Sequence, residues 1–201
     1  MVSTMSTKHW YRFLMEIEFS AFDETLAISQ LKPCKAELSK SDIDWPQVWS
    51  NARHPSFDSE MSSLSFMILH DLLPVEERLS RILKNQSPFC KYSCSGSPIS
   101  DQFHVSFNCK ESKEVGDWLL RCVRLLYPDI SPETLLGLNL VGFDAILWLT
   151  VATFNYIWKR RKKGKRCFIQ ECKDVLISNI DALAKTKYYE IAMTISAIIS
   201  M

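Results

Sequence analysis

The sequence predicts a mostly α-helical protein, and three observations predict it. Between proline and glycine breaks, apolar residues recur at helical spacing. Alternating strand-like runs are scarce. A composition of 47% hydrophobic and 11% aromatic residues over 201 positions supplies a sizeable core and excludes disorder as the main state. With 5 glycines and neither a G-x-G-x-x-G nor a G-x-x-x-x-G-K-[ST] run, the usual nucleotide-binding folds drop out.

The elements follow in order. Residues 1–44 form an N-terminal segment of uncertain structure, because Trp10, Tyr11, Phe13, Phe19 and Phe22 alternate with acidic residues without a clean period. Asp44 ahead of Trp45-Pro46 has the chemistry of a helix start, with Val48 and Trp49 facing inward. From Ser59, the positions Met61, Leu64, Ile68 and Leu72 continue a helical stripe until Leu73-Pro74, where proline forces a break. The next helix is expected from about Val75 to Lys84, with Glu76 and Glu77 in its first turn and Arg81 and Lys84 near its last, as the macrodipole favours.

Gln86 to Ser100 has the Ser, Pro and Gly content of a loop, so something other than a core must order it. Val115, Trp118, Leu119, Cys122, Val123 and Leu126 then define an amphipathic helix ending before Pro128, and Ser131-Pro132 starts a short one. Ala145 to Trp158 is a buried helix with Leu147, Val151, Phe154 and Trp158 along one side. At 14 residues it falls short of the ~20 that span a bilayer. Phe168, Cys172, Val175, Leu176, Ile180 and Leu183 line another helix, and Tyr188 to Ile199 a last one.

Around the irregular loop, Cys90 and Cys94 are separated by three residues, His104 follows after nine more and Cys109 after four. Two close pairs joined by a loop let a short chain reach around a zinc ion, whose tetrahedral shell takes sulfur and nitrogen ligands. His104 and Cys109 are expected on a short helical turn, leaving Phe103, Val105 and Phe107 to pack on neighbouring helices. Four protein ligands leave no open position for a catalytic water, so one structural Zn2+ pinning the loop to an irregular helical bundle is the expectation. The competing reading is a chance cluster of exposed thiols. Cys34, Cys122, Cys167 and Cys172 lack such partners, and Cys122 and Cys172 fall on apolar faces as small core residues.

Lys+Arg 24 nearly balance Asp+Glu 23, yet seven basic residues crowd into one eight-residue stretch: Lys159, Arg160, Arg161, Lys162, Lys163, Lys165 and Arg166. The rest of the chain is acidic. Such a block can neutralise phosphates of RNA or DNA with little sequence choice, or serve as a nuclear-import signal. It can equally be a solvated helix end. Seven cysteines without a secretory leader pattern point to a reducing intracellular setting, nuclear or cytoplasmic, with no membrane partner. Neither an Asp-Asp pair, an HExxH helix nor a G-x-S-x-G elbow is present, so no enzyme activity is expected.

The residues from Trp45 to about Trp158 resemble the zinc-binding region that follows the polymerase domain in non-LTR retrotransposon reverse transcriptases. Asp44-Trp45-Pro46-Gln47-Val48-Trp49 is similar to that family's tryptophan-bearing entry segment, and Leu69-His70-Asp71-Leu72-Leu73-Pro74 with Glu77-Arg78-Leu79 to its helical motif. Ser87-Pro88-Phe89-Cys90 leads into the site, and Phe103-His104-Val105-Ser106-Phe107-Asn108-Cys109 resembles its second half. Trp118 and Tyr156-Ile157-Trp158-Lys159 are similar to later landmarks. The first cysteine pair departs from the family's two-residue gap, having Lys91, Tyr92 and Ser93 between its members.

The resemblance implies a CCHC zinc module at 45–158, with the basic block and C-terminal helices at 159–201 packing on the same domain. It also implies a parent polymerase domain as partner, and His70, Arg78 and Arg81 near nucleic acid. Against that role, His70 can cap or pack within the helical hairpin and both arginines can be solvated. The reading is a non-catalytic module or remnant of a retrotransposon that contacts RNA or DNA. Its alternatives are a protein-interaction helical module and a remnant without function.

Overall fold

In a computed structural model, residues 45–96, 98–138, 140 and 144–200 are described, and these are mostly helical with no strand among them. The expected cap at Asp44, the aromatic segment from Lys8 to Gln30 and Cys34 lie outside the described residues. Helix α1 covers Trp45–Ala52. Val48 on it is buried, whereas Trp49 is only half-buried. Helix α2 covers Ser59–Leu69 and starts where the Asp58 carboxylate accepts from the Met61 amide at 2.8 Å.

Helix α2 ends in a Schellman motif. The Leu72 amide donates to the Met67 carbonyl at 2.7 Å and the Asp71 amide to that of Ile68 at 3.1 Å, with Asp71 at φ 50°. Helix α3, Glu76–Ile82, is shorter than the expected 75–84. Val75 is its extended N-cap, and Leu83 turns extended at the other end because Asn85, at φ 68°, reverses the chain.

After the cysteine loop, helix α4 covers Lys113–Arg124 and buries Val115, Trp118, Leu119, Cys122 and Val123. Leu126 was expected on that face, but the helix stops at Arg124 and the side chain is 49% exposed, beside Leu125 at 59%. Helix α5, Pro132–Leu136, begins with the Ser131 hydroxyl accepting from the Thr134 amide.

Helix α6, Asp144–Lys162, is the centre of the bundle. Every residue from Ile146 to Phe154 is buried, so it is enclosed on all sides rather than along the single stripe the sequence suggests. Helices α2 and α4 pack against it, as do α7, Ile169–Leu183, and α8, Tyr189–Ser200. On α7, Cys172, Leu176, Ile180 and Leu183 point inward as expected, but Val175 is exposed, and so is Phe168, which precedes the first turn. One apolar cluster extends from Ala52 to Ile199, so the C-terminal helices share a core with the rest. Among the described residues no helix is long and apolar enough to cross a membrane.

A candidate metal centre between the loop and helix α6

The cysteine loop after α3 is folded back by backbone pairing. Phe89 and Ile99 form an antiparallel bridge, with the Cys90 amide on the Pro98 carbonyl at 3.0 Å and the Ser100 amide on that of Pro88 at 2.9 Å. Within the knuckle the Ser93 amide returns to the Cys90 carbonyl at 3.3 Å. Ser93 adopts φ 53°, so the three-residue gap between the cysteines includes a left-handed step.

His104 opens a single π-type turn, His104–Asn108. The Asp101 carboxylate accepts from the His104 amide at 2.6 Å, and the Cys109 amide donates to the His104 carbonyl at 2.6 Å, so both candidate ligands sit at the ends of one turn. Such turns recur at functional sites. The expected packing holds too, since Val105 and Phe107 are buried and Phe103 is packed against the core. Phe107 meets Phe154 of α6 edge-on at 5.8 Å between ring centroids. Gly116 lets α4 lie directly on this turn, because a Cβ there would stand 2.3 Å from the Ser106 carbonyl oxygen.

The outcome is convergence. Ligand atoms of Cys90, Cys94, His104 and Cys109, all buried, lie within 4.8 Å of one another and could hold a metal ion. The three sulfurs are 3.7, 3.8 and 3.9 Å apart. A tetrahedral ion with metal–sulfur bonds of about 2.3 Å sets its sulfurs about 3.8 Å apart. A disulfide needs about 2.05 Å, so these are free thiols at metal-site spacing. Nε2 of His104 is buried without a hydrogen-bond partner, a cost that coordination removes.

Burial pushes the Cys109 thiol up to about 12, with the Glu111 amide opposing and Cys90 reinforcing the shift. Burial, helped by Arg161, pushes the His104 imidazole below its ordinary value. Both shifts favour the neutral form of Cys109 and of His104. The Lys110 amide points at the Cys94 sulfur at 3.4 Å, a donor suited to a thiolate.

Arg161, one of the seven basic residues expected to meet phosphate, is buried here instead. Its Nη1 lies 3.7 Å from the Cys109 sulfur, and its Nη2 donates to the Glu76 carboxylate and, at 2.8 Å, to the Ser100 hydroxyl. The Ser100 hydroxyl in turn donates to Glu76 at 2.6 Å. Burial alone would raise the Glu76 carboxyl, but Ser100 and Arg161 outweigh it and hold the group below its usual range. The guanidinium also stacks over the Tyr92 ring at 5.0 Å, while the Tyr92 hydroxyl donates to the Arg161 carbonyl at 3.2 Å.

The other basic residues divide. Lys159 pairs with Glu60, Arg160 with Glu171 at 3.0 Å, and Arg166 with Glu114 at 2.9 Å. Arg160 also donates to the Arg166 carbonyl at 2.6 and 2.9 Å, closing the turn around Gly164. Lys162, Lys163 and Lys165 are exposed. Lys163 and Lys165 border an open cleft of about 460 Å³ between α6 and α7, whose lining also includes Ala152, Glu171 and Val175.

His70 is half-buried, its ring 5.0 Å from Trp49 and 4.3 Å from Phe66 between centroids, which is the packing alternative rather than an open contact. Arg78 is buried and donates to the Asp71 carbonyl at 2.6 Å, so it is not the solvated side chain expected. Arg81 is the exposed one and pairs with Glu77 one helical turn away. Sequence reasoning missed Glu76, Ser100, Tyr92 and Gly116. Only the rarity of glycine inside an amphipathic helix could have flagged one of them.

Comparison of the chain with protein-family models, with curated proteins and with solved structures gives no match.

Proposed function

We propose that this protein is a non-catalytic, zinc-stabilised helical module that contacts RNA or DNA. The observation that carries it is the set of four buried ligand atoms within 4.8 Å. Three thiols and an imidazole suit zinc better than the hard cations that prefer oxygen. With every position filled by protein, the ion would be structural: it would hold the loop from Cys90 to Cys109 on α4 and α6, as few apolar side chains there can. The resemblance to the zinc-binding region of non-LTR retrotransposon reverse transcriptases supports the same reading through the order of its motifs.

The nucleic-acid half rests on fewer charges than the sequence count. Lys162, Lys163 and Lys165 remain at the surface, the last two beside the α6–α7 cleft, while the surface pairs of Lys159 and Arg166 are weak enough to exchange for phosphate. A protein-interaction module is the second reading, favoured by the exposed Leu125 and Leu126. Metal content of protein purified without chelator tests the first half. One zinc per chain, lost in a Cys90→Ser, Cys109→Ser double variant, is expected, and no zinc in either sinks it. Binding to single- and double-stranded oligonucleotides across a salt series tests the second. Three to five phosphate contacts give a log–log slope of about −2 to −4.5. No binding, or salt-independent binding, favours a protein partner.

A further inference from the structure

We infer that Arg161 is an outer-sphere positioning residue of the metal centre, balancing its charge and fixing the Cys109 thiolate, rather than part of the phosphate-contacting surface. The inference rests on the metal reading above. Three thiolates and a neutral imidazole around a divalent cation leave one negative charge in a site from which water is excluded. One buried cation faces it. The Arg161 guanidinium stands 3.7 Å from the Cys109 sulfur. It is held there by Glu76, by Ser100 at 2.8 Å and by the Tyr92 ring at 5.0 Å.

This arrangement uses the planar fork of arginine. One arm reaches the sulfur and the other the carboxylate, a division that a lysine ammonium reproduces poorly. Glu76 fixes the fork, and Lys91 lies 4.0 Å from the carboxylate's second oxygen, so the charges alternate outward from the centre. A hydrogen bond to a coordinated thiolate draws electron density from sulfur. Outer-sphere partners of this kind tune metal affinity about 10- to 100-fold.

Cobalt(II) bound to the full chain reports on the sulfur directly, through its thiolate-to-metal charge-transfer band. In Arg161→Met the band is expected to move to lower energy, affinity to fall at least 10-fold, and alkylation of Cys109 by iodoacetamide to accelerate. Arg161→Lys should recover these only in part. Glu76→Gln removes the opposing carboxylate while Ser100 and the Tyr92 ring still hold the guanidinium, so its undivided charge faces Cys109 and the band should move to higher energy, which loss of packing does not produce. Cobalt bound with an unmoved band in both the Met and Gln variants overturns the inference while the metal reading stands. If the wild-type chain binds no cobalt, the metal reading fails and this inference with it.

Discussion

Gly116 of α4 and Ser106 of the His104–Asn108 turn are in backbone contact, with room for no side chain between them. The turn that presents His104 and Cys109 is thus seated against a helix.

Replacing Gly116 by alanine should therefore displace the turn. Alanine gains up to about 1 kcal/mol of helix propensity, but a Cβ 2.3 Å from the Ser106 oxygen forces a backbone shift of the kind that costs about 1–3 kcal/mol. Denaturant unfolding of the metal-free chain should show a net loss, and cobalt affinity should fall with it. An equally stable, equally tight variant would mean that helix and turn move apart freely.

Asn51 is a buried amide that bridges distant chain segments. Its Nδ2 donates to the carbonyls of Leu138 at 2.8 Å and Leu140 at 2.7 Å, while its Oδ1 accepts from Gln47 at 2.8 Å. Asn51→Leu strands both carbonyls in the core, at roughly 1–3 kcal/mol each. A fall in the urea midpoint with unchanged slope is expected. A shift under about 0.5 kcal/mol would show that water reaches both carbonyls.

The left-handed Ser93 predicts opposite signs for two substitutions. Glycine adopts φ 53° freely, so Ser93→Gly should leave stability equal or slightly higher, by under about 1 kcal/mol. A β-branched valine is strained there and should cost about 1–2 kcal/mol, read as weaker metal binding and a lower melting temperature. Identical behaviour of the two variants would refute the left-handed knuckle.

His70 supplies a pH test. Burial lowers its folded-state value below 6.5, so between the two values the unfolded chain binds more protons than the folded one. Its contribution is fully present above pH 6.5 and is lost as pH falls through the folded value. His70→Phe keeps the ring between Trp49 and Phe66 but cannot titrate. Comparing urea unfolding at pH 7.5 and 5.5, the variant should gain on the wild type at the lower pH, and a constant gap would contradict the burial.

Spacing alone identified Cys90, Cys94, His104 and Cys109, because ligands close in sequence must come from one loop. Apolar recurrence also placed α2 and α4, and an unbroken apolar run placed α6. Long-range partnerships left no such trace. In the sequence Glu76 is an ordinary acid in a helix's first turn, and Arg161 is one cation among seven. Only the packing of α6 against the loop separates Arg161 from its neighbours and buries it. Leu126 and Val175 mark the converse error: the period continues on paper past Arg124, where α4 itself stops, and Val175 sits beside the buried stripe of Cys172, Leu176 and Ile180 rather than in it.

Arg161 and Cys109 are 52 positions apart, Arg161 and Glu76 are 85 apart, and the Cys167 amide closes on the Glu111 carbonyl at 2.8 Å. A nascent chain grown only as far as Trp158 would carry all four ligands yet neither of the groups that close over them. The four candidate ligands therefore emerge early during synthesis and their cover late: an ion held by them would be enclosed only once the last turn of α6 and the segment beyond it had emerged.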